Sequence, residues 1–127
     1  MPGKHLFEYA VIRVVPRVER EEFLNVGIVL YCKQQRYLQT VFYLNRERLQ
    51  VFCPALDVEE VEAYLSAFLK VSKGSKDGGP IARLDLPSRF RWLTATRSTI
   101  VQVSKTHVGL CDDLDKVLQK LVDQLVL

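Results

Sequence analysis

Residues 26–43 read VGIVLYCKQQRYLQTVFY, two runs of mostly β-branched and aromatic residues separated by four polar ones. Such runs are typical of β-strands, and the polar segment between them is short enough to be the loop of a hairpin. An earlier run, residues 7–15, is apolar on both faces and ends at Pro16, as expected of a strand in the centre of a sheet. The three runs together predict an antiparallel meander.

Two amphipathic helices are predicted after the meander. Asp57 is followed three residues later by a glutamate, which is an N-cap signature, and apolar residues then recur at helical spacing. This helix is expected to end near Gly74. The second helix is expected to begin at Asp112 or Asp113, because leucines and valines line one face of the segment that follows.

The segment between the two helices is less uniform. Residues 98–104 alternate well enough to predict a fourth strand, whereas residues 88–93 fit a helical turn and an extended stretch equally well. We therefore predict one α+β domain over residues 1–127. Its architecture is an antiparallel sheet of about four strands with two amphipathic helices packed on it.

The composition is that of a folded globular protein, with 48% hydrophobic and 26% charged residues. No apolar run approaches the roughly 18–20 residues that a membrane span needs, and no apolar segment near the N-terminus indicates secretion. Cys32, Cys53 and Cys111 match no zinc-binding spacing and are interpreted as buried thiols in a reducing compartment. We expect a cytoplasmic protein with no metal site and no cofactor.

The net charge of +3 is too small to argue for nucleic-acid binding by itself, but its distribution is uneven. Residues 81–107 contain five basic side chains and one acidic side chain. Residues 54–80 and 108–127, which contain the predicted helices, each have two more acidic than basic side chains. This asymmetry predicts a basic side of the molecule.

Residues 89–107, called here the basic run, hold four Arg or Lys residues, the single Trp and several hydroxyls. One interpretation is a surface that docks an anion or a polypeptide, since guanidinium groups match carboxylate and phosphate oxygens. The other is a strand edge protected by charge, with the Trp buried and the arginines paired to the acidic helices. The candidate binding residues of the run are Arg89, Arg91, Trp92, Arg97, Ser98, Thr99 and His107.

Three polar residues carry separate hypotheses. His107 would act as a general base only with a substrate proton in hydrogen-bond reach, and a lone His is more often structural. Glu22 and Asn25 are candidate ligand anchors at one end of the sheet. Their alternative is local turn chemistry, with Asn25 bonding nearby backbone and Gly27 allowing a bulge or close packing.

Residues 9–30 and 90–99, together with residues 107–110, resemble a bacterial domain-of-unknown-function family, family 3037. Thr96 stands where the family usually has proline, so the proline-set turn before Arg97 is expected to be lost or relaxed here. Members are often encoded beside HipA-like serine/threonine kinases, which implies such a kinase as a protein partner. The resemblance implies the candidate positions Glu22, Asn25, Gly27, Arg91, Arg97, Ser98 and His107.

Three functions are compatible with these features. The favoured one is a non-catalytic binding or accessory module that docks a protein partner, such as a HipA-like kinase, on a basic, hydroxyl-rich surface. The second is nucleic-acid binding by the same surface, which would weaken steeply with salt. The third is a small hydrolase or phosphoryl-handling enzyme that requires four side chains to converge. These four are His107, Arg97, Ser98 and Glu22.

Overall fold

The computed structural model describes residues 4–97 and 99–127. The described part of the chain forms five strands: β1 (His5–Val14), β2 (Leu24–Cys32), β3 (Tyr37–Phe42), β4 (Val101–Val103) and β5 (His107–Cys111). It also forms four α-helices: α1 (Arg46–Phe52), α2 (Val58–Lys73), α3 (Leu86–Leu93) and α4 (Leu114–Leu125). The predicted α+β class is confirmed. The sequence patterns missed β5 and the short helix α1.

The strands form one antiparallel sheet in which β1 is central. The order is β3-β2-β1, and both β4 and β5 pair with the remaining side of β1. The predicted meander is therefore confirmed, and the run that is apolar on both faces is the strand covered on both faces. The β1–β2 register shifts between Ile12 and Arg13, which leaves Val26 as an extra residue on β2.

β4 and β5 act as one bent strand. Ile12 is opposite Val103 and Tyr9 is opposite His107, so three residues of the bent strand face only two of β1. Ser104 supplies the hydrogen bonds between β1 and the bent strand at this bulge. Its backbone N–H donates to the Val11 carbonyl, and its hydroxyl accepts from the buried Val11 N–H, both at 2.9 Å.

Helices cover the two faces of the sheet unequally. The main core lies between one face and helices α2 and α3, which contribute Val61, Leu65, Phe68, Phe90 and Leu93. α4 covers the other face, and its Leu114 and Val122 pack on alternate residues of β1 and β2. This division follows from the two-residue period of the strands, because both faces of β1 and β2 are apolar.

Aspartates begin three of the helices. Asp57 accepts hydrogen bonds from the backbone N–H groups of Glu59 and Glu60, as its N-cap signature predicts. Asp113 caps α4 through Lys116 N–H. Asp85 caps α3 through Ser88 N–H at 2.9 Å, which settles residues 88–93 as helical. At its other end, α2 stops at Gly74, whose φ of 66° is a left-handed conformation that favours glycine.

Two of the three cysteines are buried as expected. Cys32 and Cys111 lie under α4 in the sheet, whereas Cys53 is half-buried at the end of α1; all three are free thiols. The pKa of the Cys111 thiol is raised, chiefly by burial. Within the described ranges, no helix is both long and apolar enough to traverse a bilayer.

Candidate functional site

Arg89 is used inside the fold. Its Nη1 donates to the carbonyls of Val71 and Ser72, at 3.2 and 3.0 Å, in the last turn of α2. Both carbonyls are among the last four of α2, where the Val71 carbonyl also accepts from the Gly74 N–H, and the partial negative charge of a helix C-terminus favours a cation there. The side chain is half-buried. It binds backbone carbonyls of α2 and not a carboxylate of an acidic helix, which was the pairing expected under the structural interpretation.

Arg97 has the same kind of role at the end of α3. Its guanidinium donates to the carbonyls of Trp92, Leu93 and Ala95. It also lies over the rings of Phe68 and Trp92, 4.8 and 4.6 Å from their centroids. Burial lowers the pKa of Arg97, while the three carbonyls and the two aromatic rings stabilise its cation.

Trp92 belongs to the rim of the core. Its ring meets Phe68 edge-on, with centroids 5.8 Å apart, and it packs half-buried against the main cluster. One face of the indole is occupied by Arg97. Trp92 thus helps to hold α2 and α3 together, and the flat stacking surface expected from the sequence is largely used internally.

Of the two candidate hydroxyls next to Arg97, the one on Thr99 makes a local hydrogen bond. Thr99 Oγ1 donates to the Val101 carbonyl at 2.7 Å, and Gln102 Nε2 donates to the Thr99 carbonyl. These contacts shape the entry into β4. Ser98, a candidate of the sequence analysis, lies outside the described residues.

Glu22 and Asn25 lie at the start of β2 but make different contacts. Glu22 is exposed and pairs with Arg20 at 2.5 Å, in a shallow cleft lined also by Pro16 and Phe52. Asn25 Nδ2 donates to the Leu125 carbonyl at 3.0 Å and so ties β2 to the end of α4. This contact is long-range and differs from the local turn bond that was the alternative for Asn25.

Gly27, next to this pair, is required by close packing. A Cβ at this position would lie 2.5 Å from the Val41 carbonyl oxygen of β3. The position is one residue from the β1–β2 register shift. Both structural roles considered for Gly27, a bulge and close packing, are therefore present at this end of β2.

His107 begins β5 on the face of the sheet that α4 covers. Its ring stacks on Tyr9, directly opposite on β1, with centroids 5.1 Å apart. Arg97 lies on the other face, against Phe68. Glu22 precedes the end of β2 that pairs with Val14, about 17 Å along β1 from Tyr9. The fold does not bring these three members of the hydrolase hypothesis into one cleft.

Arg91 is the arginine of the basic run that faces solvent in a groove. The groove, about 490 Å³ in volume, separates α3 from the uncovered end of β1 and β2. Its lining comes from four separate segments of the chain. The lining residues are Leu6, Glu8, Tyr31, Lys33, Pro87, Phe90, Arg91, Thr94 and Thr106.

The floor of the groove is aromatic. Tyr31 stacks on Phe90 with centroids 4.7 Å apart and an interplanar angle of 21°. Burial, followed by the nearby Glu8 carboxylate, raises the pKa of Tyr31, so its phenol stays protonated at neutral pH. The floor therefore offers apolar area and a hydroxyl.

The cations at this groove come from two distant parts of the chain. Arg91 belongs to α3, whereas Lys33 and Arg36 come from the β2–β3 hairpin; Arg36 lines an adjoining cleft beside Lys33. Among residues 4–97 and 99–127, none of the three has a carboxylate within 4.0 Å. Neither hairpin cation was among the residues predicted from the sequence. The polar hairpin at residues 33–36 was a signal, but it did not reveal that α3 packs beside it.

Two carboxylates reduce the net positive charge of the groove and its adjoining cleft. Glu8 lines the groove, and Asp85 lines the adjoining cleft. Asp85 is already engaged with Ser88 at the start of α3, and those hydrogen bonds lower its pKa. The groove is thus a moderately basic site with apolar walls. In the described ranges, no cluster of three or more His, Cys, Asp or Glu side chains is arranged to hold a metal ion.

Comparison with curated proteins and with solved structures found no match. A family model described as "Protein of unknown function (DUF3037)" matches residues 9–126, which is nearly the whole chain. The match includes all three of the segments on which the resemblance was based. The chain therefore belongs to the DUF3037 family.

Proposed function

We propose that this domain is a non-catalytic binding module that docks a protein partner through the groove. The observation that carries the proposal is the solvent-facing guanidinium of Arg91, which has no ionic partner among the described residues. Arg89 and Arg97, by contrast, are occupied at helix ends. Of the three arginines of the basic run, only Arg91 therefore belongs to the proposed docking surface. Lys33 and Arg36 of the β2–β3 hairpin are added to it.

The chemistry of the groove supports an acidic polypeptide segment with an apolar residue. Arg91 and Lys33 favour a carboxylate, and the forked donors of Arg91 suit it in a bidentate pair. Leu6, which is 56% exposed, offers apolar area to a neighbouring side chain above a floor formed by the largely buried Tyr31 and Phe90. The Thr94 hydroxyl donates to the Phe90 carbonyl, which leaves Thr106 as the freer hydroxyl of the lining.

Because members of the family are often encoded beside HipA-like kinases, such a kinase is the first partner to test. We would co-express the two proteins and measure co-purification for the wild type, Arg91→Glu and Lys33→Glu. Each charge reversal is expected to weaken the complex at least about tenfold, which corresponds to about 1.4 kcal/mol. Lys120→Glu, an exposed reversal on α4 at the opposite face, is the matched control.

A second measurement does not depend on the kinase. Fluorescence anisotropy is recorded with a labelled acidic peptide containing Leu and Phe, a basic peptide of equal length, and a single-stranded oligonucleotide. Preference for the acidic peptide, lost in Arg91→Glu, supports the proposal. Oligonucleotide binding with a steep salt dependence would instead support the nucleic-acid alternative. Equal binding by wild type and Arg91→Glu would overturn the role of the groove.

A further inference from the structure

β5 is an open edge of the sheet. It pairs with β1 on one side, and in the part of the chain that the structure describes no strand pairs with its other side. Unpaired edges are templates for another strand, and proteins usually blunt them with charged residues, proline or a covering element. Residues 107–111, HVGLC, contain no Lys, Arg, Asp, Glu or Pro. Neither charge nor proline therefore protects this five-residue strand, although the bulge at Ser104 bends the chain just before it.

The outward-facing backbone groups of β5 can be assigned from the bulge. The Val11 N–H and carbonyl both bond to Ser104, so at Val11 the backbone groups of β1 point towards β4 and β5. Because these groups alternate along a strand, Tyr9, Phe7 and His5 point the same way. Their partners on β5 are His107, Gly109 and Cys111. Val108 and Leu110 therefore present their N–H and carbonyl groups to the open edge.

The same two residues carry exposed apolar side chains. Val108 is 68% exposed and Leu110 is 67% exposed, and Leu6, directly opposite Leu110, is 56% exposed. All three lie on the face covered further along by α2 and α3. Gly109 between them is packed under Phe7, since a Cβ there would lie 2.5 Å from the Phe7 Cζ atom. The exposed edge is thus apolar, and its opposite face is closely packed.

We propose that two copies of this chain associate through β5, antiparallel and related by a two-fold axis at Gly109. In this pairing Val108 of each copy exchanges two backbone hydrogen bonds with Leu110 of the other, four in all. The apolar side chains of both strands then form one continuous stripe on the same face. The interface is isologous, as in most symmetric dimers.

Charge complementarity favours a second copy over an unrelated strand. Lys105 precedes β5, and two aspartates follow it: Asp112, which also pairs with Lys4 at 3.3 Å, and Asp113, which caps α4. Antiparallel pairing of identical strands places the Lys105 end of each copy beside the acidic end of the other. The opposite charges at these two exposed ends therefore favour the antiparallel direction of the pairing.

Sedimentation equilibrium tests this proposal directly. A contact of two five-residue strands is small, so we expect a dissociation constant on the order of 10–100 µM for the wild type. The double variant Val108→Lys, Leu110→Lys sets like charges opposite each other and is expected to raise that constant at least about tenfold. Val51→Lys is the matched control, because Val51 is an apolar residue of α1 that is 85% exposed.

Thermal unfolding of each variant verifies that its fold is retained. A wild type that remains monomeric at about 500 µM would overturn the proposal. Dimerisation that survives in the double variant, or that Val51→Lys weakens equally, would also overturn it, since the interface would then lie elsewhere. The test is independent of the proposed function, because Arg91→Glu alters the groove without changing β5.

Discussion

The guanidinium of Arg97 lies over two aromatic rings and donates to three carbonyls at the end of α3, while Arg91, six residues earlier, faces solvent. Arg89 reaches the last turn of α2. Three arginines of one short segment therefore differ in what they contact. Two stabilise helix ends, and one is available to a partner.

Arg97→Ala is expected to lower the free energy of unfolding by about 1–3 kcal/mol, because it removes donors from partly buried carbonyls and a cation–π contact. Arg91→Ala is expected to change it by less than about 0.5 kcal/mol, as is usual at exposed positions. Urea unfolding of both variants measures the difference. Equal losses in the two variants would contradict the division between structural and available arginines.

Elements of this fold are joined by a small number of polar contacts. At the bulge between β4 and β5, Ser104 is buried, accepts from Val11 N–H and donates to the Lys105 carbonyl. α4 is tied to the sheet at both ends, by Tyr37 to Asp115 and by Asn25 to the Leu125 carbonyl. These bonds set where the bent strand turns and where α4 lies across β1 and β2.

Ser104→Ala is expected to cost about 1–3 kcal/mol of unfolding free energy, since it leaves the buried Val11 N–H without a partner. Thr106→Ala, an exposed hydroxyl removed two residues away, is the control and is expected to be nearly neutral. Chemical denaturation compares the two. A neutral Ser104→Ala would show that water replaces the hydroxyl at the bulge.

Tyr37 is expected to make stability depend on alkaline pH. Burial, and then the hydrogen bond it donates to Asp115 at 2.8 Å, raise the Tyr37 pKa above its ordinary value of 10.0. The folded state keeps the phenol proton while the unfolded chain releases it, so the free energy of unfolding falls as pH rises above 10. Tyr37→Phe should reduce this slope, leaving a residual part from Tyr31, whose pKa is also raised.

Tyr37→Phe is also expected to cost about 0.5–1.5 kcal/mol at neutral pH through the lost hydrogen bond. Denaturant titrations at pH 7, 9, about 10 and about 11 give both quantities in one series. An unchanged alkaline slope in the variant would assign the pH dependence to other groups.

The whole molecule is asymmetric in how its sheet is protected. α4 covers one face, α2 and α3 cover part of the other, and the β5 end of that second face is left with Leu6, Val108 and Leu110 exposed. The groove with Arg91 borders the same uncovered region. The surfaces proposed for partner docking and for self-association are therefore neighbours on one side of the domain.

Hydrogen exchange in dilute solution, at about 1 µM protein and well below the dimer dissociation constant proposed above, is expected to alternate along β5. The amides of Gly109 and Cys111 bond to β1 and should exchange slowly, whereas those of Val108 and Leu110 should exchange fast. Uniform protection of all four amides in dilute solution would contradict the assigned edge. The β1 amides, which are bonded on both sides of the strand, provide the internal reference.

The sequence by itself determined the strands and helices whose apolar pattern or cap lies within the segment. The strands at residues 7–15, 26–32 and 37–43 and the helix after Asp57 follow from apolar periods and a cap within the segment itself. β5 was missed because Gly109 has a low strand propensity and its packing under Phe7 involves a distant residue. α1 was missed because its seven residues give too short an apolar period.

Only the tertiary structure decided which residues of the basic run are available. Arg89 is occupied because the end of α2, 17 residues away in sequence, packs beside it, and Arg97 because Phe68 lies under it. The groove likewise needs β1, the β2–β3 hairpin and α3 to meet. A chain's own pattern reveals which groups are charged or apolar, whereas the partners that satisfy them come from segments brought together by folding.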